Sequence, residues 1–289
     1  MKKIGFIDYF LDEWHANNYP DMIRKNPAAQ RAGIDVCYAY AALEASPWGG
    51  LTTDEWCKKY GVERVGSIEK LVELSDCIVV LSPDNPEQHE ALADLALRSG
   101  KPVYIDKTFA PDRAAAQRMF DLAAAYHTPM YSSSALRFAD EIARFREAAE
   151  GAKTCVAAGP HTFEIYGIHI FEVLTAVMKG GARRMMCTAN GKNRAITVEY
   201  EGGRTGIFLQ METGNVPFTV SVEEQNGSVF YSDVKDTYFE RFIDNLVHFF
   251  ADGVPRVPAR ETVEMMGLLE TAKAALAKPF AWVEVGGKN

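Results

Sequence analysis

Much is scarce in this 289-residue chain, and each scarcity closes off a class of function. No apolar run approaches the roughly 20 residues that cross a bilayer, so no membrane partner is expected. The five cysteines, Cys37, Cys57, Cys77, Cys155 and Cys187, stand twenty or more residues apart without a Cys-x-x-Cys pair. That spacing offers neither a zinc site nor a dense disulfide framework, and no metal is expected. Basic residues gather only in twos and threes and the formal net charge is -8, which argues against nucleic acid or an anionic surface as partner. The opening residues lack the continuous apolar core of a secretory signal, so a cytoplasmic location is expected. Internal repeats and low-complexity tracts are absent. What remains is an ordinary soluble composition, 47% apolar and 24% charged, long enough for two domains and a well-buried core. A small molecule is the expected partner.

Over the first 130 or so residues, apolar runs alternate with helical patterns. Residues 4–7, 35–40, 77–81 and 103–105 read as buried parallel strands, with another near Met130. Between the first two, Pro20 and Pro27 break up the helical pattern, which predicts a short helix from Pro20 and an interruption before Pro27. Thr52-x-x-Glu55 has capping-box form for a helix closed by Gly61, and Ser67 caps the next. Asn85 followed by Pro86 predicts a helix N-terminus, with Gly100 beyond its end, and Pro111 opens another helix. The alternation predicts a doubly wound parallel sheet over residues 1–133.

The texture changes beyond Gly151. A helix over 168–178 precedes strand-like runs at 184–189, 195–201, 205–211, 218–224 and 228–232. Glu201-Gly202-Gly203-Arg204 and Gln225-Asn226-Gly227-Ser228 read as hairpin turns. Helices over 238–251 and 261–277 and a last strand over 282–285 follow. Residues 134–289 are therefore expected to form an α+β domain with a mainly antiparallel, open-faced sheet.

The stretch Gly100 to Thr108 delivers Asp106 and Lys107 at the carboxyl end of a strand, where open α/β sheets place their ligands. Lys107 is the first candidate for a working residue; a solvated strand-end lysine is the plain alternative. Trp48, on a Gly-rich loop, either covers a ligand or pins a surface loop.

In order and spacing, the segment His89 to Asp112, the pair Arg137-Phe138, the segment Gly167 to Leu174 and the C-terminal Trp282-Val-Glu-Val resemble the glucose-fructose oxidoreductase / inositol dehydrogenase / MocA (Gfo/Idh/MocA) family. That resemblance covers nearly the whole chain and implies a Rossmann domain joined to an open-faced sheet domain, forming a homodimer or higher homo-oligomer. It implies hydride transfer between NAD or NADP and a sugar or polyol hydroxyl. By the same resemblance, Lys107 contacts the nicotinamide ribose and polarises the substrate hydroxyl, while His169 removes its proton. An imidazole is a suitable base near neutrality, and an ammonium stabilises a developing alkoxide. The alternative for His169 is a helix-start histidine satisfied by backbone. Glu164 stands beside Ile165, where the family often has an aspartate, and joins the catalytic candidates. The cofactor-facing candidates are Asp8, Tyr9, Phe10, Ser82, Pro83, Asn85, His89, Asp106 and Lys107.

Three departures accompany the resemblance. Where the family has Gly-x-Gly-x-x-Gly, this chain has Asp8-Tyr9-Phe10-Leu11-Asp12-Glu13, with no glycine between Gly5 and Gly33. One carboxylate about 5 Å from a phosphate, at an effective dielectric near 20, costs about 3 kcal/mol and weakens binding more than a hundredfold. The second predicted strand ends Tyr38-Ala39-Tyr40-Ala41, without the acid or arginine that would select NAD or NADP. The family's Glu-Lys-Pro is Asp106-Lys107-Thr108 here. The second reading is therefore a diverged member without dinucleotide chemistry, serving as a small-molecule binding protein or an assembly subunit.

Overall fold

The computed structural model describes residues 1–212, 216–235 and 237–286. The chain divides into two compact units, Met1–Ser133 with Ile243–Ala259, and Ser134–Phe242 with Arg260–Asn289.

The first unit runs β1 (Lys2–Asp8), α1 (Trp14–Lys25), α2 (Pro27–Ala32), β2 (Ile34–Ala41), α3 (Thr53–Tyr60), β3 (Glu63–Arg64), α4 (Ile68–Leu74), β4 (Cys77–Val80), α5 (His89–Leu97), β5 (Val103–Ile105), α6 (Arg113–Ala125) and β6 (Met130–Tyr131). All neighbouring strands are parallel, in the order β3-β2-β1-β4-β5-β6. This is the Rossmann arrangement, whose strand order reverses between β1 and β4 and opens a crevice at their carboxyl ends. Cys77, Ile78, Val79 and Val80 are fully buried or nearly so, as befits an interior strand covered on both faces. Where β1 passes under α4, Gly5 leaves no room for a side chain, because a Cβ would collide with Ser75 Oγ and the Leu71 side chain. Gly5→Ala is expected to destabilise the protein by about 1–3 kcal/mol, seen as a drop in thermal midpoint.

Local signals explain most boundaries. Thr52 and Glu55 form the capping box and Gly61 takes the left-handed conformation that ends α3. In this unit three helix starts differ from the sequence expectation. Helix α1 begins six residues before Pro20 and runs through it, because the Glu13 side chain caps it, accepting from the N–H groups of His15 and Ala16. Asn85 makes no capping bond; a 3₁₀ turn over Pro86–Gln88 comes first and α5 starts at His89. Asp112, not Pro111, precedes α6 and accepts from Ala115 N at 2.7 Å.

The second unit holds α7 (Asp140–Glu147), β7 (Thr154–Pro160), α8 (Phe163–Met178), β8 (Ala182–Asn190), β9 (Asn193–Tyr200), β10 (Thr205–Met211), β11 (Thr219–Glu223) and β12 (Val229–Asp233). Next come α9 (Tyr238–Asp252), α10 (Ala259–Ala277) and β13 (Trp282–Glu284). Its sheet has the order β12-β11-β7-β10-β9-β8-β13, antiparallel except for the β7–β10 pair. Burial alternates along β10 and β11, and α8 packs across β7 and β10. Strand β7 escapes a sequence reading, since its Ala157, Ala158 and Gly159 give no alternating or β-branched signal.

Residues 243–259 return to the first unit, although they follow the second in sequence. Phe249 meets Tyr131 edge to face, Asp244 accepts from Asn26 Nδ2 at 2.5 Å, and Lys2 Nζ donates to Phe250 O at 2.7 Å. The aromatic face of α9 accounts for this return.

Candidate functional site

The first unit gathers its polar side chains at the carboxyl ends of β1 and β5. Asp8, at the end of β1, is 1% exposed; its Oδ1 accepts from Tyr9 N at 2.7 Å and its Oδ2 has no hydrogen-bond partner. Glu13 and His15 follow across the turn into α1, each 8% exposed. Asp106 lies just beyond β5, fully buried, and its Oδ1 accepts from Tyr104 Oη at 3.2 Å. His15 Nδ1 approaches Asp106 Oδ2 to 2.6 Å, a close ion-pair contact that is off-line for a hydrogen bond. Tyr19 stacks on the other side of the imidazole, with ring centroids 5.1 Å apart.

Burial dominates the electrostatics here. It pushes the Asp8 carboxyl well above the usual carboxylate range, and the charges of Glu13 and Asp106 push it further. It raises the Glu13 carboxyl to about 7 against the pull of His15 and two backbone N–H groups. Burial also works upward on Asp106, but the charge of the adjacent His15 outweighs it. With help from Lys107 and His89, that pull holds Asp106 at about 2.

The remaining cofactor-facing candidates fall in the same unit with varied surroundings. Lys107 is largely buried next to Asp106 in sequence. Ser82 is buried with a positive φ of 80° and donates to Asn85 O at 3.2 Å; Pro83 and Asn85 are half-exposed. His89 is fully buried and turns both ring nitrogens to backbone carbonyls, Phe109 O at 3.0 Å and Leu81 O at 2.5 Å. It therefore ties the end of β4 to the turn after β5 and presents no nitrogen to a ligand. Tyr9 is half-exposed, while Phe10 is 5% exposed beneath Trp48, their rings edge to face at 5.6 Å. Trp48 itself is 75% exposed.

In the second unit, Ser134 Oγ meets His169 Nδ1 at 2.7 Å, and Ser134 N donates to Glu172 Oε2 at 2.8 Å. Arg137 donates through Nε to Glu172 and through a terminal nitrogen to Glu261 Oε2 at 2.6 Å. Arg137, Glu172 and Glu261 are all at least nine-tenths buried. Desolvation pulls the guanidinium down, but the two carboxylates outweigh it and its pKa is raised. Tyr166 and Phe218 flank the imidazole of His169. Glu164 is not part of this group. Helix α8 begins at Phe163 rather than at residue 168, so Glu164 sits exposed in its first turn. A five-residue offset on a helix does not bring it to the face of His169. Glu172 could have been noticed in the sequence as the one acid within the apolar run 168–178.

The first unit has the strand order and crevice of dinucleotide-binding Rossmann folds, and the chain also holds a second unit built on a seven-stranded, mainly antiparallel sheet. The Gfo/Idh/MocA resemblance holds: residues 48–133 match that family's model, described as an oxidoreductase family with an NAD-binding Rossmann fold. The matched span begins beyond the Asp8 to Glu13 loop. No curated protein matches the chain. Among solved structures, a probable dehydrogenase from Thermotoga maritima is similar at 14% identity and TM-score 0.80, covering 98% of this chain and 99% of that one. Scyllo-inositol dehydrogenase from Lactobacillus casei, with bound NAD(H) and scyllo-inositol, is similar at 13% identity and TM-score 0.77, covering 99% of each chain. An oxidoreductase from Agrobacterium radiobacter in complex with NAD+, L-tartaric acid and magnesium has 13% identity and TM-score 0.76, covering 99% of this chain and 98% of that one.

Proposed function

We propose that this chain is an oxidoreductase acting on a hydroxyl of a sugar-like or polyol small molecule. The observation that carries the reading is Lys107, largely buried at the carboxyl end of β5 and inside the span that matches an oxidoreductase family. The likeness of fold to a dehydrogenase solved with scyllo-inositol supports the polyol class. The chain's own residues supply the proton half of an alcohol oxidation. The Lys107 ammonium polarises the hydroxyl and stabilises alkoxide character. His169, whose Nδ1 meets Ser134 Oγ, is by the family resemblance the base that takes the proton. The alternating half-buried face of β10 and β11 supports pairing of two copies through the second unit's sheet.

The pyrophosphate of a dinucleotide does not fit at α1 as the loop stands. Glu13 already holds the N–H groups of His15 and Ala16, and Asp8 and Phe10 stand buried in the segment that leads into the helix. On this observation alone rests the second reading, a small-molecule binding protein or assembly subunit that has left dinucleotide chemistry. Titration with NADH and NADPH, followed by nicotinamide fluorescence, separates the two. Binding below millimolar concentration together with polyol-dependent turnover is expected on the first reading, and absence of binding sinks it. Lys107→Ala should then lower turnover by well over tenfold, and unchanged turnover would refute its role.

A further inference from the structure

A Gly-x-Gly-x-x-Gly loop in this frame would place glycines at 8, 10 and 13, and those positions hold Asp8, Phe10 and Glu13. The loop is rebuilt with its own bonds. Asp12 Oδ2 accepts from Leu51 N at 2.7 Å, its Oδ1 accepts from Asn17 Nδ2 at 2.8 Å, and Phe10 lies beneath Trp48. At the third position, Glu13 Oε2 accepts from His15 N at 2.7 Å and Oε1 from Ala16 N. These are the second and third N–H groups of a twelve-residue helix, in the first turn whose N–H groups otherwise bind phosphate. Short side chains such as Ser, Thr, Asp and Asn are the usual caps; a glutamate folding back onto two N–H groups is not among them. The nearby Asp8 Oδ2, buried without a partner, marks the surroundings as closed and already crowded with acceptors.

We infer that Glu13 is an internal anion standing where a dinucleotide's pyrophosphate would sit, and that its carboxylate sets how tightly the chain takes a dinucleotide. The inference rests on the oxidoreductase reading, in which a dinucleotide binds at all. Two N–H groups cannot serve two anions, and a phosphate about 5 Å from the carboxylate loses more than a hundredfold in affinity at an effective dielectric near 20. Glu13→Gln keeps the length of the side chain and one acceptor but removes the charge. Glu13→Gly restores the residue type of a phosphate loop and empties the space.

The test is titration of wild type, Glu13→Gln and Glu13→Gly with NADH, ADP and adenosine at one salt concentration and at about pH 8.5, where Glu13 is ionised, with circular-dichroism melts to confirm folding. Both variants are expected to bind NADH and ADP at least tenfold more tightly than wild type, with adenosine affinity unchanged. Equal affinity of wild type and variants for NADH overturns the inference and leaves the oxidoreductase reading standing. A gain that is the same for adenosine also overturns it, since that would reflect a rearranged loop rather than a vacated anion site. If no protein binds NADH up to millimolar concentration, the inference and the reading beneath it both fall. Should Glu13→Gly not fold, Glu13→Gln alone decides the matter.

Discussion

Arg137→Met is expected to destabilise the second unit by about 3–5 kcal/mol, enough to unfold a domain of ordinary stability. The guanidinium is 2% exposed and is the ion-pair partner that Glu172 and Glu261 share, so its removal leaves two buried carboxylates without that pairing. Urea denaturation followed by circular dichroism should show a lower midpoint; a change under 1 kcal/mol would contradict the buried triad. Changing Glu172 and Glu261 to leucine along with Arg137→Met should recover much of the loss, since an apolar set of similar volume often matches a buried ion pair. Recovery should be incomplete, because Ser134 N donates to Glu172 and would be left without an acceptor. The same change loosens Ser134, which holds His169 Nδ1. An activity loss larger than the stability loss explains would therefore show that this network also positions the imidazole.

The parts of the fold that could be read from sequence are those where one local signal decides the outcome. Cys77 to Val80 is apolar at every position and became an interior parallel strand; Thr52 with Glu55, and Ser67, became helix caps as their spacing requires. Reading failed where tertiary contacts override local preference. Pro20 has the form of a helix start, but Glu13 supplies a cap seven residues earlier and the helix tolerates the missing rung. Strand β7 is held between β10 and β11 by its backbone, and small residues suit it because α8 presses against it. The site behaved similarly. Lys107 and His169 are candidates through a resemblance alone, and the loss of the glycines is legible directly in the residues at 8–13. The buried company of each, His15 with Asp106 and Arg137 with Glu172 and Glu261, joins residues 91 and 35 to 124 positions apart, which no sequence spacing reveals.

The second large effect expected is a stability profile shifted toward acid by the Asp8, Glu13 and Asp106 cluster. Asp106 is held at about 2 in the folded chain against 3.8 for the free group, so its charged form stabilises the fold above pH 3.8, and that contribution disappears as pH falls through 2. Glu13 has the opposite sign. Its carboxyl rises to about 7 from 4.5, so the folded chain prefers it protonated; the penalty is absent below pH 4.5, grows as pH rises, and is complete above 7. Asp8 is raised in the same sense by burial and by its two acidic neighbours. The cluster therefore favours the folded state most between about pH 4 and 5, below the neutral optimum of most proteins. Thermal melts of wild type, Glu13→Gln and Asp106→Asn across pH 3 to 8 test this through difference curves. Glu13→Gln should gain on wild type by about 3 kcal/mol between pH 4.5 and 7, on top of a constant offset for the altered cap. Asp106→Asn should lie about 2 kcal/mol below wild type at pH 5 and converge with it as pH falls below 3.8. It should also lower the Glu13 carboxyl, because one of the charges that raises it is gone, while the loss of the His15 contact works against recovery of stability. Difference curves flat across the whole range would mean that these carboxyls titrate alike in folded and unfolded chains, and that the acidic loop is solvated rather than buried.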